Sequence, residues 1–511
     1  MRLFLFAIGG TGARVVRSLT MMLASGIDGL DSSTEIVPII IDYDLSNGDK
    51  TRAIKALESY SAIHQELYPD TARGKKYNDH FFMTKLTPLS QAGVANANAN
   101  LKNFEFNFGP TGSSIKFSDF LKMDQLNTNP TVKLTEDLLY ALYDDSDENS
   151  KNAELELDMA KGFKGNPNIG SVVFHDLRKS PEFQQFAQTF NAAQDRVFIV
   201  SSIFGGTGAS GFPEIINAIR TSTLPTLNPA IIGSALVLPY FDLQLFNPNN
   251  GDTGAIDASS FNAKTRAALS FYAANGGINS KVNALYYIGD ENHDAYDYNE
   301  GEDRQKNGAH VVEFVAASAI IDFMLRNVTN LSNDAYEFSI ADAKIGQSIQ
   351  LPDFYDSTKS LFLNKLSAFV IAMKYYREVI CGDRDKISND TAYYKKERFG
   401  LSAKLGRGVY NKLDEFLSAD YAPAHDWGFY PWMKELQTHT HKLNPYILDK
   451  NHDMREVLAH KVIKVTGINP IKDATLSKEI NESCRGLNDY SDQAFFKILR
   501  DVMNKKYEQV K

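Results

Sequence analysis

Two junctions, each an apolar run leading through a glycine loop into a helical pattern, constrain this chain more than any other feature. The first carries Leu3-Phe4-Leu5-Phe6-Ala7-Ile8 into Gly9-Gly10-Thr11-Gly12. The second carries Val197-Phe198-Ile199-Val200-Ser201-Ser202-Ile203-Phe204 into Gly205-Gly206-Thr207-Gly208-Ala209-Ser210-Gly211. Glycine accepts positive φ and lets backbone come close to a ligand, and N–H groups at a helix start carry a positive potential that suits phosphate. Both junctions are therefore candidate phosphate cradles. A glycine turn that only allows tight packing is the alternative reading of each.

At 511 residues the chain exceeds what one core usually supports, so two or more domains are expected. The net charge of −9 argues against a nucleic-acid-coating surface. Cys381 and Cys484 are too few for a disulfide framework, which fits a reducing, cytoplasmic compartment. The opening apolar run is short and enters the glycine loop without a cleavage-like site, so it reads as a buried strand and not a signal peptide. Val311 to Leu325 contains Glu313 and Asp322 and falls short of the roughly 20 apolar residues that span a bilayer, so it reads as a core helix. No membrane partner is expected.

Along the chain, strands are expected at Leu3–Ile8, Ile36–Ile41, Arg196–Ser201, Ala230–Leu238 and Ala284–Ile288, with helices at Ala13–Ala24, Phe212–Arg220 and Ala258–Ala274. The alternation implies a mostly parallel, Rossmann-like sheet. Asp42-Tyr43-Asp44 ends the second strand, the end at which open α/β sheets bind ligands; acids in a solvated turn are the plainer reading. Residues from about 50 to 155, with an Asn/Ala run at 95–100 and acids at 144–148, read as an insertion. Past residue 325 helical patterns dominate, so 326–511 is expected to be a second, mainly helical domain. Its final segment, Ala494 to Val510, reads as a helix.

Val197 to Gly211 resembles the GGGTG(S/T)G signature of the tubulin/FtsZ superfamily, with Phe204 where the first glycine usually stands. Further segments follow in the family's order. Phe6 to Val16 is similar to its first nucleotide loop and Ile39 to Asp44 to its second strand and loop. Gly165-Asn166-Pro167-Asn168-Ile169-Gly170 is similar to the GANPExG loop facing the γ-phosphate, and Val237 to Phe241 to a strand ending in a Pro-Phe pair. The chain looks closer to divergent bacterial tubulin-like proteins than to cell-division FtsZ or tubulin. The resemblance covers residues 1 to about 325 apart from the insertion.

It implies GTP or GDP with Mg²⁺. Gly9, Gly10, Thr11 and Gly12 would line one side of the phosphates, and Gly205, Gly206, Thr207, Gly208, Ala209 and Ser210 the other. Gly165, Asn166 and Gly170 would sense the γ-phosphate, and Asp44 would reach the metal or its waters. Asn307 or His310, early in a long central helix, would contact guanine; Asn307 as that helix's N-cap is an equal alternative. Head-to-tail self-assembly is implied, with acids of one subunit completing the neighbour's site. Asp353 and Asp356 match the family's NxDxxD spacing, with Leu351 in place of its Asn; a helix start at Pro352 and Asp353 competes with that role.

His439 and His441 show no spaced Cys or carboxylate partners, so no metal centre is expected there. Trp427, Phe429, Tyr430 and Trp432 either pack within the second domain or anchor a partner. A non-hydrolysing nucleotide-bound switch or scaffold that recruits protein partners is the alternative function, and an NAD-dependent enzyme a third.

Overall fold

A computed structural model of the chain describes residues 1–44, 46–69, 75–93, 101–106, 115–128, 130–143, 154–159, 162–163, 165–243, 261–274, 277–290, 294–296, 305–327, 349–350, 365–366, 368–373, 375, 409–418, 425–444, 462–463, 471–484 and 491–508. The expected strands form, and they line up side by side. β1 (Arg2–Ile8), β2 (Glu35–Ile41), β3 (Lys85–Leu86), β4 (Glu105–Phe106), β5 (Asp195–Ser202), β6 (Ile231–Val237) and, beyond the short β7 (Phe241–Leu243), β8 (Ala284–Ile288) are the first strands of the chain. Seven of these make one sheet in the order β3-β2-β1-β5-β6-β8, with β4 also paired to β2. Every pairing in it is parallel. The chain therefore has an α/β fold with a parallel sheet, and strand order reverses direction between β1 and β5.

Burial on both faces explains why these strands are almost purely apolar. Phe4 and Phe6 present one face to Phe186, at centroid distances of 5.0 and 4.9 Å. Phe198, on the other face, meets Phe323 at 5.4 Å. Helices therefore cover both sides of the sheet.

The helices of this half are α1 (Gly9–Ala24), α2 (Gly48–Leu67), α3 (Phe117–Phe120), α4 (Pro130–Tyr143), α5 (Pro167–Phe174), α6 (Pro181–Thr189), α7 (Gly206–Arg220), α8 (Phe261–Ala273) and α9 (Val311–Leu325). Two differ instructively from expectation. α1 and α7 begin at Gly9 and Gly206, not at Ala13 and Phe212, so both glycine loops are the first turns of their helices. First-turn N–H groups have no intrahelical partner, so low glycine propensity costs little there. The stretch expected to be an insertion opens with the 20-residue α2, which packs on α1, and supplies β3 and β4 to the sheet edge. The Asn/Ala run and the acidic run lie outside the described residues.

Beyond α9 come α10 (Val409–Leu417), α11 (Phe429–Glu435), α12 (Asp473–Ser483) and α13 (Asp492–Glu508). The aromatic cluster around α11 packs against the sheet domain's own helices. Trp432 is fully buried, donates from Nε1 to Ser18 Oγ of α1 at 3.0 Å and stacks on Phe314 of α9 at 6.4 Å. Trp427, Phe429 and Tyr430 are buried as well, which removes them as anchors for an external partner. Arg500 of α13, also fully buried, donates to the Gly26 carbonyl at 2.9 Å, just past the end of α1.

Candidate functional site

β1 and β5 are neighbours in parallel register, so their carboxyl ends deliver both glycine-lined helix starts to the same sheet edge. A Cβ built on Gly9 would lie 3.7 Å from Thr207 Cβ and 3.8 Å from the Gly208 amide nitrogen, which measures how closely the two starts approach. Gly9 itself sits at φ 72°, a left-handed conformation costly for any residue with a side chain. The third segment arrives on top of the second: a Cβ on Gly206 would lie 3.0 Å from the Asn166 nitrogen and 3.2 Å from that of Gly165. Gly170 abuts Ser210, at 2.2 Å from its Oγ by the same measure. Gly9 to Gly12, Gly205 to Ser210 and Gly165 to Gly170 are thus brought together.

How these helices start separates them from α2, α6 and α9, though not from α11, whose start at Gly428 is likewise without a side-chain cap or a first-turn acid. The first turns of α2, α6 and α9 are closed by side chains: Asn47 accepts from Asp49 and Lys50 N–H, Ser180 from Phe183 N–H, and His310 from Val312 N–H in a capping box with Glu313. α1, α5 and α7 have no side-chain cap and no acid in the first turn. Their N–H groups are left for something other than the chain's own side chains. Gly10, Gly205, Thr207, Gly165 and Asn166 keep part of their surface accessible, whereas Thr11 is buried with its Oγ1 accepting from Arg14 Nη2 at 3.3 Å.

Packing accounts for some of the glycines and not for others. A Cβ on Gly12 would meet the Ala7 carbonyl carbon at 2.7 Å, and one on Gly208 the Ser202 carbonyl oxygen at 2.4 Å, so a tight strand-to-helix crossing requires both. At Gly10 the nearest atoms stand 3.7 Å away, an ordinary contact. Tight packing does not explain Gly10.

The carboxyl end of β2 borders this edge. Asp42 and Asp44 are both buried; Asp42 Oδ1 accepts from the Asp44 N–H at 3.2 Å, and Asp44 Oδ1 from Ser46 N–H at 3.0 Å and Ser46 Oγ at 3.1 Å. Burial raises the Asp42 carboxyl to about 7, with Lys50 opposing the shift and the nearby Asp44 adding to it. The adjoining Tyr43 ring packs 5.2 Å from Phe163, and burial raises its hydroxyl to about 12.

Directly behind the first glycine loop lies a buried ion-pair network that sequence patterning missed. Arg14 bonds Glu313 Oε1 at 2.5 Å, Asp49 Oδ2 at 2.6 Å and the Tyr240 hydroxyl at 2.6 Å. Arg52 reaches Asp49 at 2.7 Å, Glu435 at 3.1 Å and the Asn307 carbonyl, while Arg17 reaches Glu435 at 2.6 Å. Arg14, Arg17 and Arg52 balance Asp49, Glu313 and Glu435 in charge. Burial alone would lower Arg14, but Tyr240, Glu313 and Asp49 outweigh it and hold Arg14 well above its ordinary value. At Arg17 burial outweighs Glu435 and the pKa falls. The network fixes α1, α2, the start of α9 and α11 relative to one another.

Asn307 and His310 both belong to this network. Asn307 gives its N–H to Asp49 Oδ1 at 3.1 Å. The N-cap of α9 is His310 and not Asn307. His310 is fully buried and its Nε2 lies 3.2 Å from Asp294 Oδ2, Asp294 being in the short β9 (Asp294–Tyr296). Asp294 also accepts from Thr440 N–H at 2.9 Å and Thr440 Oγ1 at 2.6 Å, and His441 Nδ1 meets Asp290 at 2.5 Å. The carboxylates that sequence spacing did not supply to His439 and His441 are therefore Asp294 and Asp290, far away in the chain. Burial opposes ionisation of Asp294, but bonds from His310 and Thr440 prevail and hold it far below the usual carboxylate range; burial depresses His439. Asp353 and Asp356 lie outside the described residues.

Comparison with known proteins gives no match to a family model, to a curated protein or to a solved structure. No helix among the described residues is long and apolar enough to cross a membrane.

Proposed function

We propose that the chain binds a nucleoside triphosphate, GTP, with its phosphates between the starts of α1 and α7 and the Gly165–Gly170 segment over the terminal phosphate. One observation carries this reading: of the four α-helix starts that are uncapped and free of first-turn acids among the described residues, three, those of α1, α5 and α7, are gathered where strand order reverses, the position at which open α/β sheets bind ligands, and the fourth, that of α11, lies elsewhere, after Gly428. Backbone N–H groups, helix dipoles and the partly accessible Thr207 hydroxyl would offset phosphate charge without a P-loop lysine. Asp44, and Asp42 once ionised, are the groups next to this edge that would hold Mg²⁺ through its waters.

The finer proposal is a tubulin/FtsZ-like cytoplasmic protein that assembles head to tail and hydrolyses GTP at the subunit contact, Asp353 and Asp356 acting on the neighbour's nucleotide. It rests on the order of the motifs in the sequence. A dinucleotide is the competing occupant, favoured by Asp42 at the end of β2, where a ribose-binding acid stands in dinucleotide folds. Mass spectrometry of the small molecules released on denaturing the purified protein decides between them. GTP or GDP is the expected result; an adenine dinucleotide, or no nucleotide together with no GTP binding on titration, would contradict it.

A further inference from the structure

We propose that Asp294, His310 and His439 form a zinc-type divalent-cation site that fastens the Thr438–His441 segment to the start of α9. The ligand-capable atoms of the three side chains lie within 4.8 Å of one another. His310 Nε2 stands 3.2 Å and His439 Nδ1 3.6 Å from the same oxygen, Asp294 Oδ2. Two ligands of one tetrahedral zinc, each bonded at about 2.0–2.1 Å, are separated by about 3.3 Å, so both spacings fit a shared ion. For His439 the spacing is too long for a hydrogen bond. Its Nε2 has no hydrogen-bond partner although the residue is only 8 % exposed, so the structure gives this buried imidazole no other full hydrogen bond.

The surroundings suit a metal. Thr440 fixes Asp294 by an Oγ1 bond to Oδ1 at 2.6 Å and an N–H shared between Oδ1 at 2.9 Å and Oδ2 at 3.2 Å, which orients the carboxylate with Oδ2 beside the imidazoles, the support that metal-bound carboxylates commonly receive. Two imidazoles and one carboxylate are a ligand set matched to zinc, with water as the usual fourth ligand of such a set. In the metal-free protein His310 Nδ1 accepts from the Val312 N–H at 3.2 Å, so the ring proton sits on Nε2. Metal binding at Nε2 displaces that proton to Nδ1 and releases the Val312 N–H. One cap bond is a small loss beside three metal–ligand bonds.

The test uses the full chain, stripped with chelator and titrated with zinc against a chromophoric competitor, with cobalt(II) substituted in a parallel sample. One equivalent should bind, cobalt should show tetrahedral visible bands, and amide exchange at Val312 should accelerate on loading. His439→Gln and Asp294→Asn should each weaken zinc binding by about 100-fold or more, against the 10–100-fold typical of losing a mere supporting group. His441→Gln, which breaks the neighbouring pair with Asp290 and removes none of the three ligands, should leave it unchanged. If either ligand variant does not fold, the cobalt spectrum of the unmodified chain decides. No stoichiometric binding, cobalt bands without tetrahedral character, or full affinity in a folded ligand variant would each overturn the site.

Discussion

The starts of α1 and α7 and the starts of α2 and α9 lie close together yet are finished in opposite ways. Asn47 and His310 close the latter pair, and Asp49, Glu313 and Glu435 seal them with Arg14, Arg17 and Arg52 in a network of three acids and three bases. The former pair carries glycines, no caps and no first-turn acids. At α2 and α9 side chains satisfy the first-turn donors; at α1 and α7 backbone alone is present and the donors are available to a ligand. The contrast can be attacked from both sides.

The largest effect is expected in the sealed region. Glu313→Ala leaves Arg14 buried without one of its two carboxylate partners and removes the second half of the α9 capping box, so chemical denaturation should show a loss of about 3–5 kcal/mol. A loss below about 1 kcal/mol would show that the network does not hold the two starts in place.

Asp42, between the two regions, gives a pH test. Its folded pKa is raised from 3.8 to about 7, so between those values the folded state holds a proton that the unfolded state has released. The favourable contribution is full below about pH 4 and is lost as pH rises through 7; a three-unit shift amounts to roughly 4 kcal/mol. Asp42→Asn keeps an oxygen for the Asp44 N–H and removes the ionisation. The ligand-free variant should be more stable than the parent at pH 8 by about 2–4 kcal/mol, with the difference gone near pH 4. The same advantage at both pH values would remove Asp42 ionisation as its cause.

Smaller effects distinguish packing glycines from the other kind. Gly208→Ala drives a methyl into the Ser202 carbonyl and should cost about 1–3 kcal/mol. Gly10→Ala meets no close atom in a helical turn and should change stability by under about 1 kcal/mol, in the stabilising direction, while weakening GTP binding. Equal destabilisation by the two substitutions would return both loops to the packing reading.

The sheet was legible because its strands, buried on both faces, are written as unbroken apolar runs such as Leu3–Ile8 and Ile36–Ile41. The convergence of the two glycine loops was legible because each follows such a strand directly; Gly165–Gly170 follows no strand, and its place beside them was implied by the family resemblance alone. The helix starts were misplaced because glycine reads as loop, although a first turn asks little of propensity. The charged network was illegible for a different reason: Arg14 and Glu313, or Arg17 and Glu435, pair across 299 and 418 positions, which no local period records. One trace of it was present, since Glu313, set among apolar residues at the start of a largely apolar helix, had to find a buried partner. Asp294 lies similarly far from His439, which is why the histidines looked alone.

The central claim, that the uncapped starts of α1 and α7 are open for a phosphate, is tested most directly by supplying one of them with the cap it lacks. Gly205 is the N-cap of α7 at φ −90° and ψ 161°, a conformation any residue adopts, so Gly205→Asp can place a carboxylate against those N–H groups. Titration of this variant with GTP and Mg²⁺ by calorimetry should show at least about a tenfold loss of affinity, worth 1.4 kcal/mol, with thermal stability kept. Undiminished GTP affinity in a folded Gly205→Asp protein would contradict the account.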